Sequence, residues 1–115
     1  MNPLVADPTL NRFGSAGFVG FRVIGDIGND QWCYSFENGY GASVVRGPYS
    51  YGGPEGFFEV AVTHDPGDKL CYRTPVTNDV IGWLDEAAVL KTLGDIRALP
   101  ATDDCPHSGL WGYDE

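Results

Sequence analysis

The dipeptide Asn38-Gly39 constrains this chain more than any other feature. It stands between two runs, Gln31 to Glu37 and Tyr40 to Arg46, and each run alternates its side chains. Asn-Gly between alternating runs is the strongest short hairpin signal, because both residues accept the positive φ that a two-residue turn requires. In the first run Trp32, Tyr34 and Phe36 share one face, and Cys33, Ser35 and Glu37 share the other. In the second, Ala42 and Val44 oppose Ser43 and Val45. A chain with this hairpin at its centre is committed to an antiparallel sheet.

Further strands extend the pattern. Gly17 to Ile24 is apolar and β-branched, Phe57 to Thr63 alternates, and Lys69 to Thr74 follows a turn at His64 to Asp68. Gly25 to Asp30 is also turn chemistry. Five short strands with mostly tight connections predict a meander. After Pro75 the period changes. Thr77 is placed to cap a short turn through Asn78, Asp79, Val80 and Ile81, which Gly82 ends. Asp85 then caps a longer helix from Glu86 to about Leu99, with Val89, Leu90, Leu93 and Ile96 as its apolar stripe and Pro100 as its stop. Asp85 and Glu86 suit the positive end of the helix dipole, and Arg97 suits the negative end.

The expected fold is α+β: an antiparallel sheet of four to six strands, a meander, with a C-terminal helix packed on one face. At 115 residues the chain suits a single domain. Residues 1–15 read as an N-terminal arm, 16–99 as the core and 100–115 as a tail. Leu4, Val5, Leu10 and Phe13 are the arm residues suited to docking. So small a sheet leaves edges, which favours a homo-oligomer.

Charge excludes one class of partner. The formal net charge is −9, from 16 acidic and 7 basic residues, and the arginines (Arg12, Arg22, Arg46, Arg73, Arg97) are dispersed. Direct nucleic-acid binding needs clustered cations, so it is not expected. The acidity reads first as solubility and second as DNA mimicry, although the carboxylates come mostly singly. Three cysteines without a CxxC pair are not a disulfide framework. The start MNPLVADPTL lacks the pattern of a signal peptide, and no stretch approaches the ~18 apolar residues of a membrane span. These features lead to the expectation of a cytoplasmic protein with free thiols.

Catalytic chemistry finds little footing. His107 after Cys105 is a lone Cys-x-His, whereas structural zinc needs four ligands in recognisable pairs, so no metal is expected. Cys33 and Cys71 sit mid-strand, where a cysteine usually serves as a small buried residue rather than a nucleophile. Gly52, Gly53 and Gly56 lack the Lys and Ser or Thr of a phosphate loop. No catalytic residue and no cofactor is therefore assigned, and a small hydrolase ranks last among the functions considered. The loop Gly47 to Gly56 carries Tyr49 and Tyr51 among four glycines and two prolines. Such tyrosines form a recognition surface or fold back as a lid on the core. Asn78 and Asp79 sit at a helix entry, as caps or as contacts.

The run Phe36-Glu37-Asn38-Gly39-Tyr40-Gly41-Ala42-Ser43-Val44-Val45, then Tyr51-Gly52-Gly53, Phe57 to Val62, and Tyr72 to Leu84 (YRTPVTNDVIGWL) resembles small uncharacterised accessory proteins of tailed bacteriophages, especially those of actinobacteria. The likeness covers roughly residues 32 to 99. It brings no established activity, so no catalytic residue carries over. It implies a phage product in the host cytoplasm that acts by non-catalytic binding to a host or anti-phage defence protein. Tyr49, Tyr51, Phe57 and Trp83 are the contact residues expected for that role. The alternatives are a protein that sequesters a nucleotide signal, with Arg46 or Arg73 in the pocket, and a DNA mimic.

Overall fold

The computed structural model describes residues 4–24, 28–48, 52–64, 69–70 and 81–100, with His64, Lys69 and Leu70 as backbone. In chain order the elements are β1 (Phe18–Ile24), β2 (Asn29–Ser35), β3 (Tyr40–Arg46), β4 (Phe58–His64), β5 (Lys69–Leu70), β6 (Ile81–Leu84) and the helix α1 (Glu86–Arg97). The strands pair antiparallel in the order β1-β2-β3-β4-β5, and β6 pairs with β4. β3 takes one edge of β4; β5 and β6 share the other, β5 near its end and β6 near its start. The fold is α+β, as the alternation and the late change of period predict.

The hairpin forms where Asn38-Gly39 places it, but with a different turn. Phe36 N–H donates to Tyr40 O at 2.8 Å and Gly39 N–H donates to Phe36 O at 3.2 Å, so Glu37, Asn38 and Gly39 make a three-residue loop. Gly39 has φ +89°, and Asn38 is not in the left-handed region. This is the three-residue connection in which a glycine supplies the positive φ after an ordinary turn. Phe36 and Glu37 consequently leave the strand, which ends at Ser35 rather than Glu37.

The physical reason is the side chain of Asn38. Its Nδ2 donates to the carbonyls of Ile96 (2.8 Å), Leu99 (3.0 Å) and Arg97 (3.2 Å), and its Oδ1 accepts from Tyr40 N–H at 3.0 Å. The last carbonyls of a helix have no partner within it. Here a hairpin tip supplies one, which ties the turn to the C-terminal end of α1.

Asp85 caps α1 as expected, its Oδ1 accepting from Ala88 N–H at 2.8 Å. Val89, Leu93 and Ile96 are fully buried, each stabilising the fold by about 1.5–3 kcal/mol. Leu90, read as part of the stripe, is instead 48 % exposed, and Thr92 takes the buried place. Positions 89, 92, 93 and 96 lie on one helical face, whereas position 90 is one residue off it. α1 packs on β3 and β4. Beneath it lie Trp32, Tyr34, Tyr40, Ala42, Val44, Phe58, Val60 and Val62, with Phe36 from the turn.

Phe13, from the segment read as an arm, is buried in this core. Its ring makes edge contacts with Trp32 (5.5 Å) and Phe58 (5.0 Å), and those two rings are 5.8 Å apart. Val5 pairs with Phe21 through two backbone bonds, 2.7 and 3.0 Å, along the outer edge of β1. That edge is therefore partly covered.

One further expectation changes. Ile81 and Gly82, read as the end of a helical turn, are strand residues of β6. Ile81 pairs with Val60 on the open edge of β4, and satisfying that edge outweighs a single cap signal. Thr77 to Val80, and Cys71 to Thr74 of the fifth strand, lie outside the described residues. Cys33 is buried, on the sheet face opposite α1.

Candidate functional site

β6 does not run straight. Phe58 faces Leu84 and Val60 faces Ile81, so two residues of β6, Gly82 and Trp83, oppose one of β4. This is a β-bulge, a device that re-aims a side chain. Trp83 has φ +60° and, among the described residues, no other non-glycine residue has positive φ. That conformation costs an L-residue roughly 1–2 kcal/mol. The Trp83 side chain is 60 % exposed.

The neighbouring loop is built to receive it. Gly52 (φ +81°) turns the chain into a short 3-10 segment, Gly53–Glu55, and accepts from Phe57 N–H at 3.0 Å. A β-carbon at Gly52 would lie 3.0 Å from Trp83 Cα, from Trp83 Cδ2 and from Phe57 Cβ. The Phe57 and Trp83 rings lie 5.9 Å apart with a 47° tilt. The result is a pair of aromatic side chains standing on a glycine turn.

Next to this pair runs a groove of about 430 Å³, lined by Arg12, Arg46, Phe57, Phe58, Asp85 and Glu86 among others. Its floor is the ring of Phe58. The Arg46 guanidinium carbon lies 4.9 Å from the ring centroid, and that of Arg12 5.4 Å. Cation–π contacts of this kind hold guanidinium groups flat and partly desolvated. Arg12 pairs with Glu86 in the first turn of α1. Arg46 lies 3.9 Å from Asp30, at the limit of an ion pair. Both arginines keep part of their side chains in solvent, 40 % for Arg12 and 29 % for Arg46.

Of the eight residues expected to bind, the structure pairs Phe57 with Trp83 and sets Phe57 and Arg46 in the lining of one groove. Tyr49, Tyr51, Arg73, Asn78 and Asp79 lie outside the described residues. The sequence reading missed Arg12 and Phe58 as members of this surface. Arg12 arrives there because its neighbour Phe13 enters the core; the signal was the aromatic at position 13 beside a cation. Phe58 was read as a core residue, and it is one, with its ring reached by the two arginines.

A second, larger cavity of about 780 Å³ lies at the other end of α1, lined by Phe36, Glu37, Asn38, Arg97 and Leu99 together with Ala16, Gly17 and Ser35. Among the described residues, the groups whose ionisation is shifted belong to the core and the arm. Burial pushes the Tyr34 phenol up to about 12, and its hydroxyl donates to Asn11 Oδ1 at 2.6 Å. Burial also raises Tyr40. The N–H and hydroxyl of Thr9 lower Asp7. Among the described residues, no three His, Cys, Asp or Glu side chains come together as a metal site, and no helix is long and apolar enough to cross a membrane.

No protein-family model, no curated protein and no solved structure matches this chain.

Proposed function

We propose that this chain is a small acidic accessory protein of a tailed bacteriophage that works in the host cytoplasm. It acts by non-catalytic binding to a host or anti-phage defence protein, which it inhibits or modulates. The phage assignment rests on the resemblance of the central stretch. One observation carries the binding role: Trp83 is held exposed by a bulge, in a strained backbone, against Phe57, which also lines the groove that Arg46 lines. Backbone strain concentrates where function requires a particular geometry. Trp, Tyr and Arg are the side chains that dominate protein interfaces, because they combine large contact area with directional polar contacts. A rigid aromatic pair flanked by guanidinium groups is chemistry of that kind.

The two guanidinium groups over Phe58 support a second reading, a binder of a nucleotide signal. A phosphate would take the place of Glu86 and Asp30 as their partner. Native mass spectrometry of tagged protein, purified gently from an actinobacterial lysate, separates the two. A co-purified polypeptide that the Trp83→Ala, Arg46→Ala double variant no longer holds supports the first reading. A small-molecule mass increment lost in Arg12→Ala and Arg46→Ala supports the second. Complexes unchanged in these folded variants contradict the placement of the site.

A further inference from the structure

Asn38-Gly39 is chemically as well as conformationally distinctive. In an Asn-Gly sequence the glycine nitrogen meets no side chain as it approaches the asparagine Cγ, so the side-chain amide is prone to intramolecular loss. We propose that Asn38 is a spontaneous deamidation site that the native hairpin-to-helix contact holds closed. Conversion there permanently unties α1 from the hairpin.

The reaction balances with water as the co-reactant. The Gly39 nitrogen attacks Asn38 Cγ, its proton passes to the departing amide nitrogen, and ammonia leaves a cyclic imide. Water then opens either imide carbonyl, giving aspartate or isoaspartate at residue 38. The native geometry opposes each part of this. The attacking nitrogen is engaged, because Gly39 N–H donates to Phe36 O. The electrophile is pinned on both sides: Nδ2 is bound to the carbonyls of Ile96, Arg97 and Leu99, and Oδ1 to Tyr40 N–H. The residue is buried, at 8 % exposure. Reaction must await an opening in which the hairpin tip leaves the end of α1.

The product cannot restore the contact. A carboxylate at residue 38 has no hydrogen to offer three carbonyls, and it stands at the negative end of the helix dipole. An isoaspartate also lengthens the backbone inside a three-residue turn. Ala98 N–H and Leu99 N–H, which bond to the carbonyls of Gly94 and Ile96, then lose the partner that fixes this last turn.

The test uses the wild-type chain. Folded protein and protein in urea are held at the same mildly alkaline pH, and residue 38 is followed by peptide mass spectrometry with an isoaspartate assay. Hydrogen bonds of ordinary net strength make opening rare, so conversion is expected to be roughly 100-fold slower in the folded chain. Equal rates in the two states overturn the protection, and no conversion in urea overturns the site. Leu93→Ala, which loosens α1 without touching the dipeptide, is expected to speed conversion in the folded state; an unchanged rate overturns the link to opening. Converted protein, isolated by ion exchange, is expected to show faster hydrogen exchange at residues 98 and 99. Retained protection there overturns the untying.

Discussion

Replacing Asn38 with alanine tests how far the hairpin and the helix hold each other. Asn38 does not use positive φ, so alanine fits the backbone and the variant reports the side chain alone. The Nδ2 group has two hydrogens, so its three carbonyl contacts amount to two bonds, one of them shared. With Oδ1 accepting from Tyr40, three hydrogen bonds are lost. At about 1 kcal/mol net for each, the loss approaches 3 kcal/mol. The bonds to Arg97 and Leu99 are only part-buried, so water recovers some of it, whereas the bond to Ile96 is buried. The expected destabilisation is about 2–3 kcal/mol. Small domains are stable by about 5–15 kcal/mol, so this is a large share. With a urea m-value of about 1–3 kcal/mol/M, the midpoint falls by roughly 0.7–3 M in equilibrium unfolding followed by circular dichroism. A fall below roughly 0.3 M at unchanged m would refute the reasoning, since water alone would then satisfy the end of α1.

Further consequences follow from the same geometry. Trp83→Gly relieves the left-handed strain that Trp83→Ala retains, so the glycine variant is expected to be the more stable of the two by about 1 kcal/mol in urea unfolding, against the usual preference for alanine in a strand. Gly52→Ala forces a β-carbon into left-handed backbone and onto Trp83 and Phe57; it is expected to destabilise by more than about 1 kcal/mol and to shift tryptophan fluorescence. Tyr34 ionises near pH 10 when unfolded and near 12 when folded, so its contribution is fully present below pH 10 and is lost as pH rises toward 12. The urea midpoint is therefore expected to fall over that window, and Tyr34→Phe to make the fall shallower; an equal fall in both proteins would show that other groups cause it. Leu93→Ala empties a fully buried site and is expected to destabilise by about 2–5 kcal/mol, measured by urea unfolding.

The sheet and the helix were legible because local signals and burial agree there. Strand alternation at Trp32, Tyr34, Ala42, Val44, Val60 and Val62 matches the buried face, and Asp85 caps the helix that its position announces. Asn38 was legible as a turn residue but not as a helix partner. Its amide reaches carbonyls about 60 residues away in the chain, and no local pattern encodes that contact. Leu90 misled for a similar reason: composition marks it apolar, while only the angular position of residue 90 shows that it faces solvent. Trp83 was legible as a contact residue from its type. Its bulge was not, because the extra residue in β6 is fixed by the register against β4. Arg12 joined the groove through the burial of Phe13; the sequence marks Phe13 as suited to docking, but where it docks is a tertiary contact that the Pro- and Gly-broken terminus does not encode.

The central claim is that Trp83, Phe57 and Arg46 form the surface that meets a protein target. Its most direct test is quantitative affinity capture from an actinobacterial lysate with wild type, the folded Trp83→Gly, Arg46→Ala double variant, and Leu90→Ala as an exposed control on the outer side of α1. The account predicts a host polypeptide captured by wild type and by Leu90→Ala, and reduced at least roughly tenfold in the double variant, as loss of two interface hot spots requires. The same polypeptide captured equally by all three proteins would contradict it.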